Sequence, residues 1–238
     1  MSDSIYEHPF RQLPTAQRPL IGATVLVVED SRFASEAVRL MCLRSGARIR
    51  RADCLKSAYR HLAAYRPSVV IIDLGLPDGP GNDLIRDLAS RPDPAPPVIA
   101  TSGDPSLRDI ALTEGARDFL TKPIPSLGIF QETILRLLPA EVQPRGLRVL
   151  SDEQLLPDRL AFRNDMEVIA ALIDCDTDPP DIQYIAQFLE TVAYSAEDRP
   201  LINAARQLGA DMRRSHDAPD LTPIRAMVAA RIQTTAIV

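Results

Sequence analysis

Four short apolar runs each end in polar residues, and the types at those ends are complementary. Glu29-Asp30 follows Val25–Val28, Asp73 follows Val69–Ile72, Thr101-Ser102 closes Pro97–Ala100, and Lys122 follows Phe119-Leu120. Carboxylates brought to one point repel each other and require a counter-cation. An all-oxygen cluster suits Mg²⁺, which keeps several waters and takes one or two carboxylates plus phosphate. A lysine and a hydroxyl beside them complete a pocket for a phosphoryl group, the cations offsetting its charge and the hydroxyl bonding an oxygen. Asp73 is then the natural nucleophile, because a carboxylate can form an acyl phosphate. The competing reading of each residue is structural: Asp73 can cap a turn, and Asp30-Ser31 can start the next helix as its N-cap.

The elements needed to converge these residues are written in the hydrophobic pattern. Val25–Val28, Ile49–Ala52, Val69–Ile72, Pro97–Ala100 and Phe119-Leu120 have strand length. Between them, helical spacing links Ala34, Val38 and Met41; Leu55, Ala58 and Leu62; Leu84, Ile85 and Leu88; Leu107, Ile110 and Ala111; then Ile129 to Leu138. Strands alternating with helices predict a five-stranded parallel sheet covered on both faces, a doubly wound α/β fold. In such sheets, ligands gather outside the carboxyl ends of the strands.

At this point the sequence resembles the receiver domain of bacterial two-component response regulators, a flavodoxin-like fold, over about residues 22–140. The resemblance is carried by VLVVEDS (25–31), VVIIDLGLPDGPGNDLI (69–85), PVIATSG (97–103) and GARDFLTKP (115–123). Asp30 to Asp73, Asp73 to Ser102 and Ser102 to Lys122 are 43, 29 and 20 residues apart, spacings that fit a receiver. The resemblance implies that Asp73 is the phosphoacceptor. It implies that Glu29 and Asp30 are the acidic pair that holds Mg²⁺ with Asp73 and the main-chain carbonyl of Gly75. Ser102, with Thr101 beside it, takes the switch hydroxyl position, Phe119 the switch aromatic and Lys122 the family's lysine, whose bond to Pro123 is cis in that family. Glu replaces the commoner Asp at 29, Phe119 lacks the hydroxyl of the commoner Tyr, and Gly75 and Asp104 hold positions that tune phosphoryl lifetime. A haloacid-dehalogenase-like phosphohydrolase would want a second Asp where Gly75 stands.

Composition closes other routes. The 238 residues carry a net charge of −5, and 45% are hydrophobic. No run approaches the ~20 apolar residues of a membrane helix, nor has the N-terminus a signal-peptide core. Cys42, Cys54 and Cys175 lack metal-ligand spacing, so a reducing, cytoplasmic setting is expected. His8, His61 and His216 lie in contexts that fit neither catalysis nor phosphotransfer.

We divide the chain into an extended tail (1–20), a receiver (21–140), a linker (141–150) and a helical domain (151–238). In the last, stripes run through Phe162, Met166, Ile169 and Ile173; Ile182, Ile185, Leu189 and Val192; Leu201, Ala205, Leu208 and Met212; and Ile224, Val228 and Ile232. From residue 140 onward there are ten arginines, no lysine and sixteen acidic residues. That acidity disfavours DNA, as does the absence of a tight glycine turn leading into a basic helix. The expected function is therefore a phosphorelay response regulator rather than an enzyme. It would accept phosphoryl from a histidine kinase or histidine phosphotransfer protein and switch a helical module that binds a downstream protein or a second copy. A transcription factor with an atypical DNA-binding domain, or a receiver joined to an enzymatic output, is the alternative.

One further compositional fact isolates a residue. Of 27 basic residues only Lys56 and Lys122 are lysines, and only Lys122 follows a strand in the acidic constellation.

Overall fold

The computed structural model describes residues 13–92, 95–146, 148–175, 182–214 and 219–235. The readings made for His8, His216 and the tail up to residue 12 fall outside them.

Five strands form one parallel sheet: β1 (Thr24–Val28), β2 (Arg48–Ala52), β3 (Val69–Asp73), β4 (Val98–Ser102) and β5 (Asp118–Thr121), in the order β2-β1-β3-β4-β5. Helices α1 (Arg32–Ser45), α2 (Leu55–Ala64), α3 (Gly81–Ala89), α4 (Arg108–Thr113) and α5 (Leu127–Leu135) link and follow them. The central strands are apolar from Val25 to Val28, Val69 to Ile72 and Val98 to Ala100 because helices cover both faces, and β3 and β4 turn polar only at their carboxyl ends. Alternate residues of one strand serve opposite cores: Val25, Val27, Val69 and Ile71 pack with Met41, Phe130 and Ile134. Leu26, Val28, Val70 and Ile72 pack instead with Leu84, Ile85 and Leu88. Parallel register aligns the strand ends, pairing Val28 with Ile72, Asp73 with Thr101 and Ser102 with Thr121.

Helix boundaries follow local chemistry. Ser31 Oγ accepts from Ala34 N–H and starts α1, and Gly46, left-handed at φ 85°, ends it. β4 runs on through Thr101 and Ser102, past the apolar stretch, because its ladder with β3 and β5 continues there. α5 begins two residues earlier than the hydrophobic pattern indicates, since Ser126 Oγ caps Ile129 N–H. It ends earlier than Leu138, its last turn tightening to Leu137 N–H···O Ile134 and Leu138 N–H···O Leu135 ahead of Pro139.

Helices α6 (Arg159–Ile173), α7 (Ile182–Ser195), α8 (Arg199–Arg214) and α9 (Thr222–Thr235) form a second unit. The four stripes meet in one core, with Met166, Ile169, Ile185, Leu189, Leu208 and Val228 buried. The segment leading into it is no free tether in its later part. Arg148 donates to Gln131 Oε1 and Glu132 Oε1, each at 2.7 Å, while Leu127 and Gly128 N–H donate to the Glu153 and Ser151 carbonyls. The two units touch through α1, α6 and α7, where the Phe33 and Phe162 rings meet edge to face at 5.6 Å. No helix among the described residues is long and apolar enough to cross a membrane.

Candidate functional site

The sheet delivers the acidic residues to one place. Asp73 is the last residue of β3, Glu29 and Asp30 follow β1 directly, and Lys122 follows β5. Lys122 Nζ stands 2.8 Å from Asp73 Oδ1 and 2.6 Å from Glu29 Oε2, so one ammonium serves two carboxylates. The other Asp73 oxygen, Oδ2, accepts from Gly75 N–H at 3.2 Å, and Glu29 Oε1 accepts from Ser31 N–H at 3.3 Å. Asp73 is 1% exposed, and Glu29 and Lys122 are 5% exposed. The Lys122–Pro123 peptide bond is cis.

Each carboxylate of Glu29, Asp30 and Asp73 offers an oxygen within 4.8 Å of the others. Three acids against one lysine leave the cluster short of positive charge. Burial pushes the Glu29 carboxyl well above its usual range against the pull of Lys122. Burial, aided by repulsion from Asp73, raises Asp30 to about 7. At Lys122 burial opposes the charge, yet Asp73 and Glu29 together hold the ammonium above its ordinary value. Asp30 Oδ1 is buried with no hydrogen-bond partner. An unpartnered carboxylate oxygen in an all-oxygen, negatively charged cluster is the donor set that a hard divalent cation fits, and Glu29, Asp30 and Asp73 could hold one.

The hydroxyls divide. Ser102, half-buried, accepts from Asp104 N–H at 3.2 Å, whereas Thr101, opposite Asp73 in the ladder, has a buried Oγ1 without a partner. Thr101, Glu29 and Lys122 share a cavity of about 150 Å³. Phe119 is 9% exposed and already packed in the core on the α3 side. Lys56 is exposed on α2, far from this cluster in role, and its N–H donates to Asp78. His61 is half-buried, its ring edge-to-face with the Tyr65 ring at 5.8 Å.

Sequence reasoning missed a set of residues from the helical unit. Tyr184 Oη donates to Asp30 Oδ2 at 3.0 Å. Asp165, 1% exposed, accepts from Ser31 Oγ at 2.8 Å, Arg32 N–H at 3.0 Å and Phe33 N–H at 2.9 Å, at the start of α1. Only Asp165 left a trace in the sequence: three residues after Phe162 and next to Met166, it is a carboxylate on the inward stripe of α6.

Known proteins place this architecture. Residues 25–133 match the family model for the response regulator receiver domain. The KDP operon transcriptional regulatory protein KdpE of Escherichia coli strain K12 is 32% identical over 185 residues, covering 75% of this chain and 78% of that one. The chain therefore belongs to the response regulator family. The probable transcriptional regulatory protein TcrX of Mycobacterium tuberculosis is 36% identical over 116 residues, and PhoP of Escherichia coli strain K12 is 35% identical over 101. This chain spans about half the length of those two, 47% and 45%. Among solved structures, the signal receiver domain of a histidine kinase from Syntrophus aciditrophicus is 28% identical, with a TM-score of 0.45, over 55% of this chain and 100% of that one.

Proposed function

We propose that the protein is a phosphorelay response regulator that takes a phosphoryl group onto Asp73 and relays the event to its helical unit. The reading is carried by one observation: a buried carboxylate at a strand end, held by Lys122 on one oxygen and Gly75 N–H on the other, beside two further acids. An Asp73 oxygen attacks phosphorus, the bond from phosphorus to the donor atom breaks, and the donor leaves with the electron pair. Lys122 orients the nucleophile and stands ready to bind a phosphoryl oxygen as charge moves onto it. Ser102 and Thr101, at the end of the adjacent strand, supply hydroxyls for the remaining oxygens. Glu29 and Asp30, with Asp73 and the Gly75 carbonyl, would hold Mg²⁺. When bound, Mg²⁺ supplies positive charge that offsets the phosphoryl oxygens.

The physiological donor in this reading is a histidine kinase or a histidine phosphotransfer protein, and Phe119 couples the loop after β4 to the core by packing. The helical unit binds a downstream protein or a second copy. Its acidic balance supports a protein partner over nucleic acid. A second reading, DNA binding, is favoured by the transcriptional role in the relatives' names and by the KdpE alignment, which is longer than the receiver match. It predicts that a promoter fragment binds with a steep salt dependence, whereas a protein-binding output predicts only weak, non-specific association.

Incubation with acetyl phosphate and Mg²⁺, read by intact mass, tests the acceptor. Wild type gains one phosphate, while Asp73→Asn and an EDTA-treated sample do not. Equal labelling of Asp73→Asn would overturn the reading.

A further inference from the structure

We propose that the free edge of the sheet, strand β2, is a docking site for an acidic, extended segment of a partner protein, taken on as a further strand. The proposal is independent of the reading of Asp73 as phosphoacceptor.

β2 departs from the other strands in composition. It reads Arg48-Ile49-Arg50-Arg51-Ala52, and its three arginines are exposed. It pairs with β1 on one side, and among the described residues no strand pairs with it on the other. Arg48 N–H donates to the Ala23 carbonyl and Glu29 N–H donates to the Ala52 carbonyl, each at 2.9 Å, so residues 48, 50 and 52 turn their backbone groups toward β1. Those of Ile49 and Arg51 point outward from the sheet. Among the described residues the Ile49 carbonyl meets the Arg50 guanidinium at a long 3.4 Å.

Side chains alternate along the same strand. Ile49 packs on the α1 core and Ala52 in the core on the other face, so Arg51 stands on the α1 side and Arg48 and Arg50 on the opposite one. Arg18 extends the basic row at its amino end, because its side chain lies against Gly46. Arg48, Arg50 and Arg51 have no ion-pair partner among the described residues, although α1 beside them pairs Arg39 with Glu36 and Arg44 with Glu153. Glu36 attracts Arg51 only through space.

What can lie along this edge follows from two requirements. The outward N–H and C=O groups need alternating acceptors and donors, which another peptide backbone supplies. A nucleic-acid strand offers phosphate oxygens to the arginines and the N–H groups, but it leaves the outward carbonyls facing anions. The arginines in turn need carboxylates. A second copy of β2 fails there, since pairing sets guanidinium against guanidinium, which keeps a charged edge from pairing with itself. An extended segment with Asp or Glu at alternate positions meets both needs. Its backbone bonds Ile49 and Arg51, and its carboxylates take Arg48 and Arg50 in the two-pronged geometry a guanidinium favours.

The test uses the full chain and a blocked, fluorescein-labelled peptide of alternating Glu and Thr. A peptide of alternating Lys and Thr and a single-stranded oligonucleotide serve as comparisons. Anisotropy gives the affinity, and amide hydrogen exchange resolved by NMR gives the mode. The Glu peptide should bind and slow exchange at the Ile49 and Arg51 N–H, leaving those of Arg48 and Arg50, which already face β1, unchanged. Arg50→Glu should weaken binding about tenfold, the scale of one charge-assisted hydrogen bond lost. Arg51→Pro and Arg51→Ala lose the same guanidinium, but only proline also removes an outward N–H, and it spares the ladder to β1. Arg51→Pro should therefore bind several-fold more weakly than Arg51→Ala. Should Arg51→Pro not fold, the exchange pattern and Arg50→Glu decide alone. The proposal is overturned if the Glu peptide does not bind, if Arg50→Glu binds it equally, or if bound peptide leaves Ile49 and Arg51 exchange unchanged. Equal binding by folded Arg51→Pro and Arg51→Ala overturns strand addition, and tighter binding of the Lys peptide or the oligonucleotide overturns the choice of partner.

Discussion

Among the described residues Lys122 is the one cation paired with both Asp73 and Glu29, in a chain whose other basic residues are arginines except for Lys56. A compact ammonium can sit at 2.6 and 2.8 Å from two carboxylates in a closed pocket, whereas a planar guanidinium presents a wider fork. Lys122→Arg should slow phosphate incorporation by roughly 10²-fold, the scale for losing one preorganised donor, while Lys56→Arg leaves it unchanged, as timed by intact mass. Asp30 answers the opposite question, because its charge is a burden until a cation arrives. Asp30→Asn should stabilise the metal-free protein by about 1 kcal/mol and remove the thermal upshift that Mg²⁺ gives the wild type, both read by calorimetry. At this scale the convergence of the candidate residues Glu29, Asp30, Asp73 and Lys122 was legible, since each stands behind an apolar run that had to be a strand. Tyr184 was not: 154 residues separate it from Asp30, and a tyrosine in an apolar helix reads as core.

Elements turn those residues into a site. The β3–β4 ladder sets Asp73 opposite Thr101 and carries β4 beyond its apolar stretch, an extension that pairing dictates and hydropathy does not. Helix α1 shows the same limit, because its start was written locally in Ser31, yet the carboxylate that completes its N-terminus comes from Asp165 on another element. The connector is the clearest case. Its proline and glycine punctuation reads as a linker, but Arg148, with its side chain 10% exposed, bonds Gln131 and Glu132, and the residues after it pair with the start of α5. Arg148→Ala should release that strap. The expected result is faster limited proteolysis between residues 145 and 158, with receiver melting little changed; equal cleavage of both proteins would place the restraint elsewhere.

For the whole molecule, the fold class and the division into a sheet unit and a helical unit followed from periodicity, because alternation and helical spacing describe each element's own burial. How the two units sit together did not, because the contact uses a few polar residues, one pair of phenylalanine rings and two glycines against which α7 packs, none of which a periodicity marks as an interface. Charge also acts at this scale. The acidic helical unit meets the acidic pocket through hydrogen bonds, from Tyr184 to Asp30 and from the start of α1 to Asp165, while an Arg44–Glu153 ion pair at 3.2 Å ties the segment before α6 to the other end of α1.

The central claim is that Asp73 itself becomes an acyl phosphate. Borohydride reduction after treatment with acetyl phosphate and Mg²⁺, followed by peptide mapping, tests this most directly, because reduction converts an aspartyl phosphate to homoserine at the modified position. The account predicts homoserine at position 73, and none when Mg²⁺ is chelated. Unmodified aspartate at 73 in protein that has gained a phosphate, with the label on another residue, would contradict it.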